Sequence, residues 1–178
     1  MQPKSLLEKL SQFIDWHPAR ILTFSQMVLN LVHSGDVQHH SLCRGLCSTV
    51  KGGLERVRRF FANQRIDMEL FSRAMVLSTF ACIPKMDLIL DRTNWKFGRQ
   101  DINYLVLAAR VGEITFPLFW LWLEHRGNSN ASHRIELLER FRKAFGFGAV
   151  KSLTADREFI GPEWIDYLCQ HKVPFLSA

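Results

Sequence analysis

The chain predicts an α/β fold: a mixed sheet preceded by an all-helical N-terminal domain. Three observations carry that prediction. Apolar residues recur at helical spacing before about residue 85. Runs of branched and aromatic residues bounded by glycines replace them afterwards. The last third of the sequence alternates strand-like and helix-like segments, the mark of a layered α/β domain. With 178 residues, 47% hydrophobic and 22% charged, the chain is long enough for one good core and a small helical domain.

The helical half comes first. Leu6, Leu10 and Phe13, then Ile21, Phe24, Val28, Leu31 and Val32, fall at helical spacing, with Pro18 and Gly35-Asp36 as breaks. A helix from about Leu54 turns Leu54, Val57, Phe60 and Phe61 inward. The boundary falls between Phe80 and Met86, giving a helical domain at 1–84 and a second domain at 85–178. Three consecutive strands are then predicted at 87–93, 102–111 and 114–123, separated at Gly98 and Gly112 and closed by "RGNSN". "SHRIELLERFRKAFGFG" places Ile135, Leu138, Phe141 or Arg142, and Phe145 on one helical stripe, with Gly146 and Gly148 as stops. "AVKSLTAD" reads as a strand, Pro162 suits the first turn of another helix, and "VPFL" begins one more strand. The order βββαβαβ implies a mixed sheet containing a parallel pair with a right-handed crossover.

Composition narrows the functional classes. The formal charge of +6 favours polyanionic partners. The longest uncharged run, Ile21 to Gly35, is too short and too polar to span a bilayer, and the N-terminus lacks the pattern of a secretory signal, so a cytoplasmic protein is expected. Cys43, Cys47, Cys82 and Cys169 show no CxxC spacing and read as reduced thiols. No phosphate-loop motif occurs, which removes nucleotide hydrolysis from consideration.

Positive charge concentrates in "TVKGGLERVRRFFANQR", where Lys51, Arg56, Arg58, Arg59 and Arg65 face Glu55 alone. Preceded by "SLCRGLCS" and a turn-like "TVKGG", the segment has the outline of a helix-turn-helix. Its arginines would hold phosphates, while Asn63 or Gln64 reads a base edge. A solvated basic face on a structural helix is the plainer alternative. His39, His40, Cys43 and Cys47 include three residues at helical spacing, but a fourth zinc ligand is missing and ordinary thiols beside ordinary histidines are the better reading. Phe116, Phe119, Trp120 and Trp122 are expected to pack both faces of a central strand.

Two acids remain. Leu88-Ile89-Leu90 ends on Asp91-Arg92, and "SLTA" ends on Asp156-Arg157. Adjacent strands would bring both carboxylates to one sheet edge, where they repel unless a cation sits between them. Hard oxygen ligands select magnesium or manganese, the metals of phosphodiester displacement. The alternative is that each aspartate pairs with its neighbouring arginine or caps a turn.

"LDRTNWKFG", "HRGNSN" and "LTADREFIGPEWIDYL", with "RVRRFFANQRID" before them, resemble DDE transposases of bacterial insertion sequences, more narrowly the IS-four family, also called the transposase eleven domain. The resemblance covers nearly the whole chain from about residue 20. It implies an RNase H-like catalytic domain, a helical DNA-binding domain, and Asp91 and Asp156 as catalytic acids that ligate magnesium or manganese. Arg157, Glu158 and Phe159 would complete a "DREF" signature. It further implies double-stranded DNA partners (transposon ends and target DNA), a homodimer in a synaptic complex, no membrane, and strand cleavage followed by strand transfer. The family's third acid is a glutamate far downstream of the second aspartate, and the sequence reaches Ala178 without it. The resemblance therefore leads us to expect an N-terminal fragment with little or no transposition activity, whose alternative role is that of a non-catalytic DNA binder.

Overall fold

Side chains alternate between the two faces of a strand, so the burial pattern shows where each strand of the sheet is covered. The computed structural model describes residues 7, 8, 10–12, 14–63, 67–124, 127 and 129–177. Leu6, Phe13, Gln64, Arg65 and positions 125, 126 and 128 of "HRGNSN" lie outside the described residues. The chain divides into two compact units, Met1–Ser78 and Thr79–Ala178.

The first unit contains helices α1 (Pro18–Ser34), α2 (His39–Leu42) and α3 (Val50–Ala62), and most of α4 (Met68–Phe80). Pro18 starts α1, His17 Nδ1 accepts the Ala19 N–H, and Gly35 ends the helix at φ 68°. Met27, Leu42, Cys43 and Val57 form a small core, with Leu46, Leu54 and Phe60 packed against it. Full burial of a side chain such as Val57 stabilises the unit by about 1.5–3 kcal/mol. Trp16, Phe24, Phe60 and Phe71 add a ring cluster with centroids 5.8–6.2 Å apart.

The predicted turn at "TVKGG" is instead the first turn of α3. Thr49 caps it by accepting the Gly52 N–H at 3.2 Å. The second glycine is there for closeness: a Cβ on Gly53 would stand 2.8 Å from the Cys43 carbonyl oxygen. Helix packing thus overrides the turn propensity of Gly-Gly.

The second unit is a five-stranded mixed sheet in the order β3-β2-β1-β4-β5. Its strands are β1 (Met86–Phe97), β2 (Gln100–Val111), β3 (Ile114–Trp122), β4 (Val150–Ala155) and β5 (Phe175–Ser177). β1, β2 and β3 form an antiparallel meander with left-handed turn glycines Gly98 at φ 62° and Gly112 at φ 59°. β4 pairs parallel to β1, and β5 parallel to β4. Helix α5 (Ala131–Phe145) links β3 to β4, and α6 (Pro162–Gln170) links β4 to β5.

Leu88, Leu90, Leu105, Leu107, Ala109 and Phe119 are buried on one face of the sheet, against which α5 packs with Leu137, Leu138 and Phe141. The stripe on α5 is rotated from the predicted one: Ile135 is half-buried, and Arg134 is buried with Leu137, Leu138, Phe141 and Ala144. β3 is an edge strand rather than a central one, and Trp120 and Trp122 stand on its face opposite α5, so they are 44% and 49% exposed while Phe119, on the α5 face, is buried.

Candidate functional site: two carboxylates past the last parallel pair of β1 and β4

The last parallel pair between β1 and β4 is Leu90↔Ala155. Asp91 follows Leu90 within β1, and Asp156 follows Ala155 directly after β4, so each acid is one residue past that pair. Alternation puts them on the sheet face opposite Leu88, Leu90 and Leu153. That face also carries Asp87, which accepts from the Ser152 hydroxyl at 2.7 Å and from Lys151 Nζ at 2.9 Å. These two bonds, the hydroxyl first, hold the Asp87 carboxyl below the usual range.

Both candidate acids are exposed. Asp91 Oδ1 accepts the Arg92 backbone N–H at 2.7 Å. Asp156 precedes the short 3-10 turn Arg157–Phe159 and its side chain does not cap it. Neither carboxylate forms an ion pair among the described residues. The Arg92 guanidinium goes instead to Glu158, Nε to Oε1 at 3.1 Å and Nη2 to Oε2 at 3.4 Å, while its Nη1 donates to the Gly127 carbonyl at 3.2 Å. The pairing of each aspartate with its adjacent arginine is therefore not what the fold makes.

Two exposed carboxylates with no cation against them fit a hard divalent ion that keeps waters and takes further oxygens from a substrate phosphate. Asp91 and Asp156 would be its protein ligands. Among the described residues, no three His, Cys, Asp or Glu side chains come together as a metal-binding group.

Of the signature residues, Arg157 is exposed, Glu158 is held by Arg92, and Phe159 is buried. Sequence reasoning missed Arg134, which is 6% exposed. Its Nε donates to the Ser129 hydroxyl at 3.1 Å, Nη2 to the Ser129 carbonyl at 2.5 Å, and Nη1 to the Phe159 carbonyl at 2.5 Å. The guanidinium also lies 5.3 Å from the Phe159 ring centroid. Burial pulls its pKa below the ordinary arginine value and the nearby Glu158 charge pushes it back up. Arg134 thereby ties the segment before α5 to the turn that follows Asp156.

On the acid-bearing face, Asp91, Val106 and Trp120 stand in one row across β1, β2 and β3. Beyond them a hollow of about 270 Å³ is lined by Thr93, Trp95, Tyr104, Val106, Pro117 and Trp120.

In the first unit, Lys51, Arg58 and Arg59 lie along α3, with Arg59 paired to Glu55 at 3.0 Å. Asn63 ends the helix; its side chain is exposed and its carbonyl accepts from Arg20 at 2.7 Å. Arg56 turns inward: Nε donates to the Thr23 hydroxyl at 3.0 Å and Nη1 to the Leu46 carbonyl at 3.2 Å. It braces α3 against α1 and is not on the basic surface. Cys43 is buried and its thiol donates to the His40 carbonyl at 3.1 Å.

The chain matches no protein-family model and no curated protein. Among the described residues no helix is long and apolar enough to cross a membrane.

Proposed function

We propose that the chain is a DDE-type transposase of the IS-four kind: an RNase H-like unit for magnesium-dependent DNA strand cleavage and transfer, joined to a helical unit that binds double-stranded DNA. The observation that carries this reading is the placement of Asp91 and Asp156 each one residue past the last parallel pair of β1 and β4, exposed and unpaired with any arginine side chain among the described residues. The strand order β3-β2-β1-β4-β5, with its antiparallel meander and parallel additions, supports the RNase H-like assignment.

In this reading Asp91 and Asp156 hold a magnesium or manganese ion and orient the scissile phosphate against it. The chemistry such an ion supplies when bound is activation of the attacking oxygen and stabilisation of the leaving one. Lys51, Arg58 and Arg59 hold backbone phosphates, and Asn63 reaches a base edge. The protein would act in the bacterial cytoplasm, with two copies joined across paired transposon ends.

A second reading, a non-catalytic DNA-binding protein, rests on the exposed basic side chains Lys51, Arg58 and Arg59 along α3. The two readings separate in one experiment. The 178-residue chain is incubated with the terminal sequences of its own element, with and without magnesium. Retarded complexes without nicking favour the binding role, and metal-dependent nicking lost in Asp91→Asn favours the enzyme. Absence of any retardation overturns both.

A further inference from the structure

We infer that the Arg92–Glu158 ion pair is a positioning element that sets the separation of the Asp91 and Asp156 carboxylates, an inference that rests on the metal-site reading above. Backbone pairing between β1 and β4 stops at Leu90↔Ala155, one residue short of both acids. Past that point two like charges on neighbouring segments tend to push those segments apart. Arg92 follows Asp91 directly and Glu158 lies two residues after Asp156, so their ion pair is the next connection between the two chain segments.

The contact is two-pronged, at 3.1 and 3.4 Å, and a two-point guanidinium–carboxylate contact fixes orientation as well as distance. The side chains are 17% and 29% exposed, which limits screening by solvent. Arg92 follows the alternation of Leu88 and Leu90, so its side chain projects to the covered face while Asp91 projects to the open one. The brace therefore works from behind the sheet and leaves the acids their negative charge. An Asp91–Arg92 side-chain pair would have neutralised one of them. Gly127 and Arg134 support the two ends: the Gly127 carbonyl accepts from Arg92, and Arg134 holds the Phe159 carbonyl beside Glu158.

The test is calorimetric titration of Mn²⁺ into the whole chain, with thermal melting of every variant alongside. Arg92→Met/Glu158→Leu removes both charges of the pair together, and the buried Arg134, which loses the Glu158 charge beside it, keeps its hydrogen bonds to Ser129 and Phe159, so the fold is expected to survive. Arg92→Lys keeps the charge and loses the second prong. The expected result is wild-type binding abolished by Asp91→Asn, about tenfold weaker binding in the double variant, and a smaller loss in Arg92→Lys, with melting temperatures close to wild type. Wild-type Mn²⁺ affinity in both variants, with Asp91→Asn still losing it, overturns the positioning role and leaves the metal site standing. Wild-type protein that takes up no Mn²⁺, or Asp91→Asn that binds as wild type, overturns the metal-site reading and this inference with it. If the double variant fails to fold, Arg92→Lys decides by the same comparison.

Discussion

Replacing Arg134 with methionine keeps much of the stem volume and removes the guanidinium. The Ser129 and Phe159 carbonyls each lose a buried donor at 2.5 Å, at about 1–3 kcal/mol apiece. The guanidinium over the Phe159 ring, at 5.3 Å, adds about 0.5–2 kcal/mol. The sum, roughly 2.5–8 kcal/mol, is a large share of a typical stability of about 5–15 kcal/mol. Urea unfolding measures the global loss, and amide exchange at Phe159 and Ile160 measures loosening of the turn after Asp156. Arg134→Lys retains the charge and one donor direction and should recover part of both. A loss under about 1 kcal/mol for Arg134→Met, or unchanged exchange at Phe159 and Ile160, would refute the view that this buried arginine ties the acid-bearing turn in place.

Other outcomes rest on the same kind of geometry. An alanine at Gly53 normally gains helix propensity, but its Cβ would meet the Cys43 carbonyl at 2.8 Å, so Gly53→Ala should destabilise the helical unit by about 1–3 kcal/mol in denaturant melts. Lys51→Ala, Arg58→Ala and Arg59→Ala together should weaken duplex binding and flatten its log–log salt dependence by about 0.9 for each phosphate the protein no longer neutralises. Arg56→Ala should leave the salt slope unchanged and lower the melting temperature, because its guanidinium is occupied by Thr23 and Leu46. Tyr167 donates to Glu139 Oε1 at 2.5 Å, and burial first, then this bond, push its hydroxyl above the usual tyrosine range. Because the folded value is raised, the stabilisation is whole below the unfolded value of about 10 and is lost as pH climbs from there towards the folded one. Tyr167→Phe should remove that alkaline component from stability-versus-pH curves and the late step from phenolate absorbance titrations.

The sheet and its order were largely legible because period-two alternation and glycine turns are local signals. The closeness of the Asp91 and Asp156 segments was partly legible too: each acid follows an apolar run, and the crossover from β3 lays β4 parallel beside β1. What escaped the sequence depends on contacts between distant residues. Trp120 and Trp122 read as core because aromatic content does not reveal which face of a strand is covered; both stand on the face of β3 opposite α5. Arg134 reads as a solvent-facing charge until two carbonyls from different segments turn out to meet it. Arg56 has the same cause, with Thr23 and the Leu46 carbonyl as captors. The Gly-Gly pair reads as a turn because the reason for Gly53, close approach to the Cys43 backbone, lies in a preceding segment.

The central claim is that Asp91 and Asp156 together hold a divalent ion. Ferrous iron loaded into the site, followed by ascorbate and peroxide, cuts the polypeptide where the metal sits, and mass spectrometry maps the cuts. Cleavage is expected at both the Asp91 and Asp156 segments, suppressed by excess magnesium and lost from both segments in either Asp→Asn variant. Cleavage at one segment alone, or at both in Asp91→Asn and Asp156→Asn as in wild type, would contradict it.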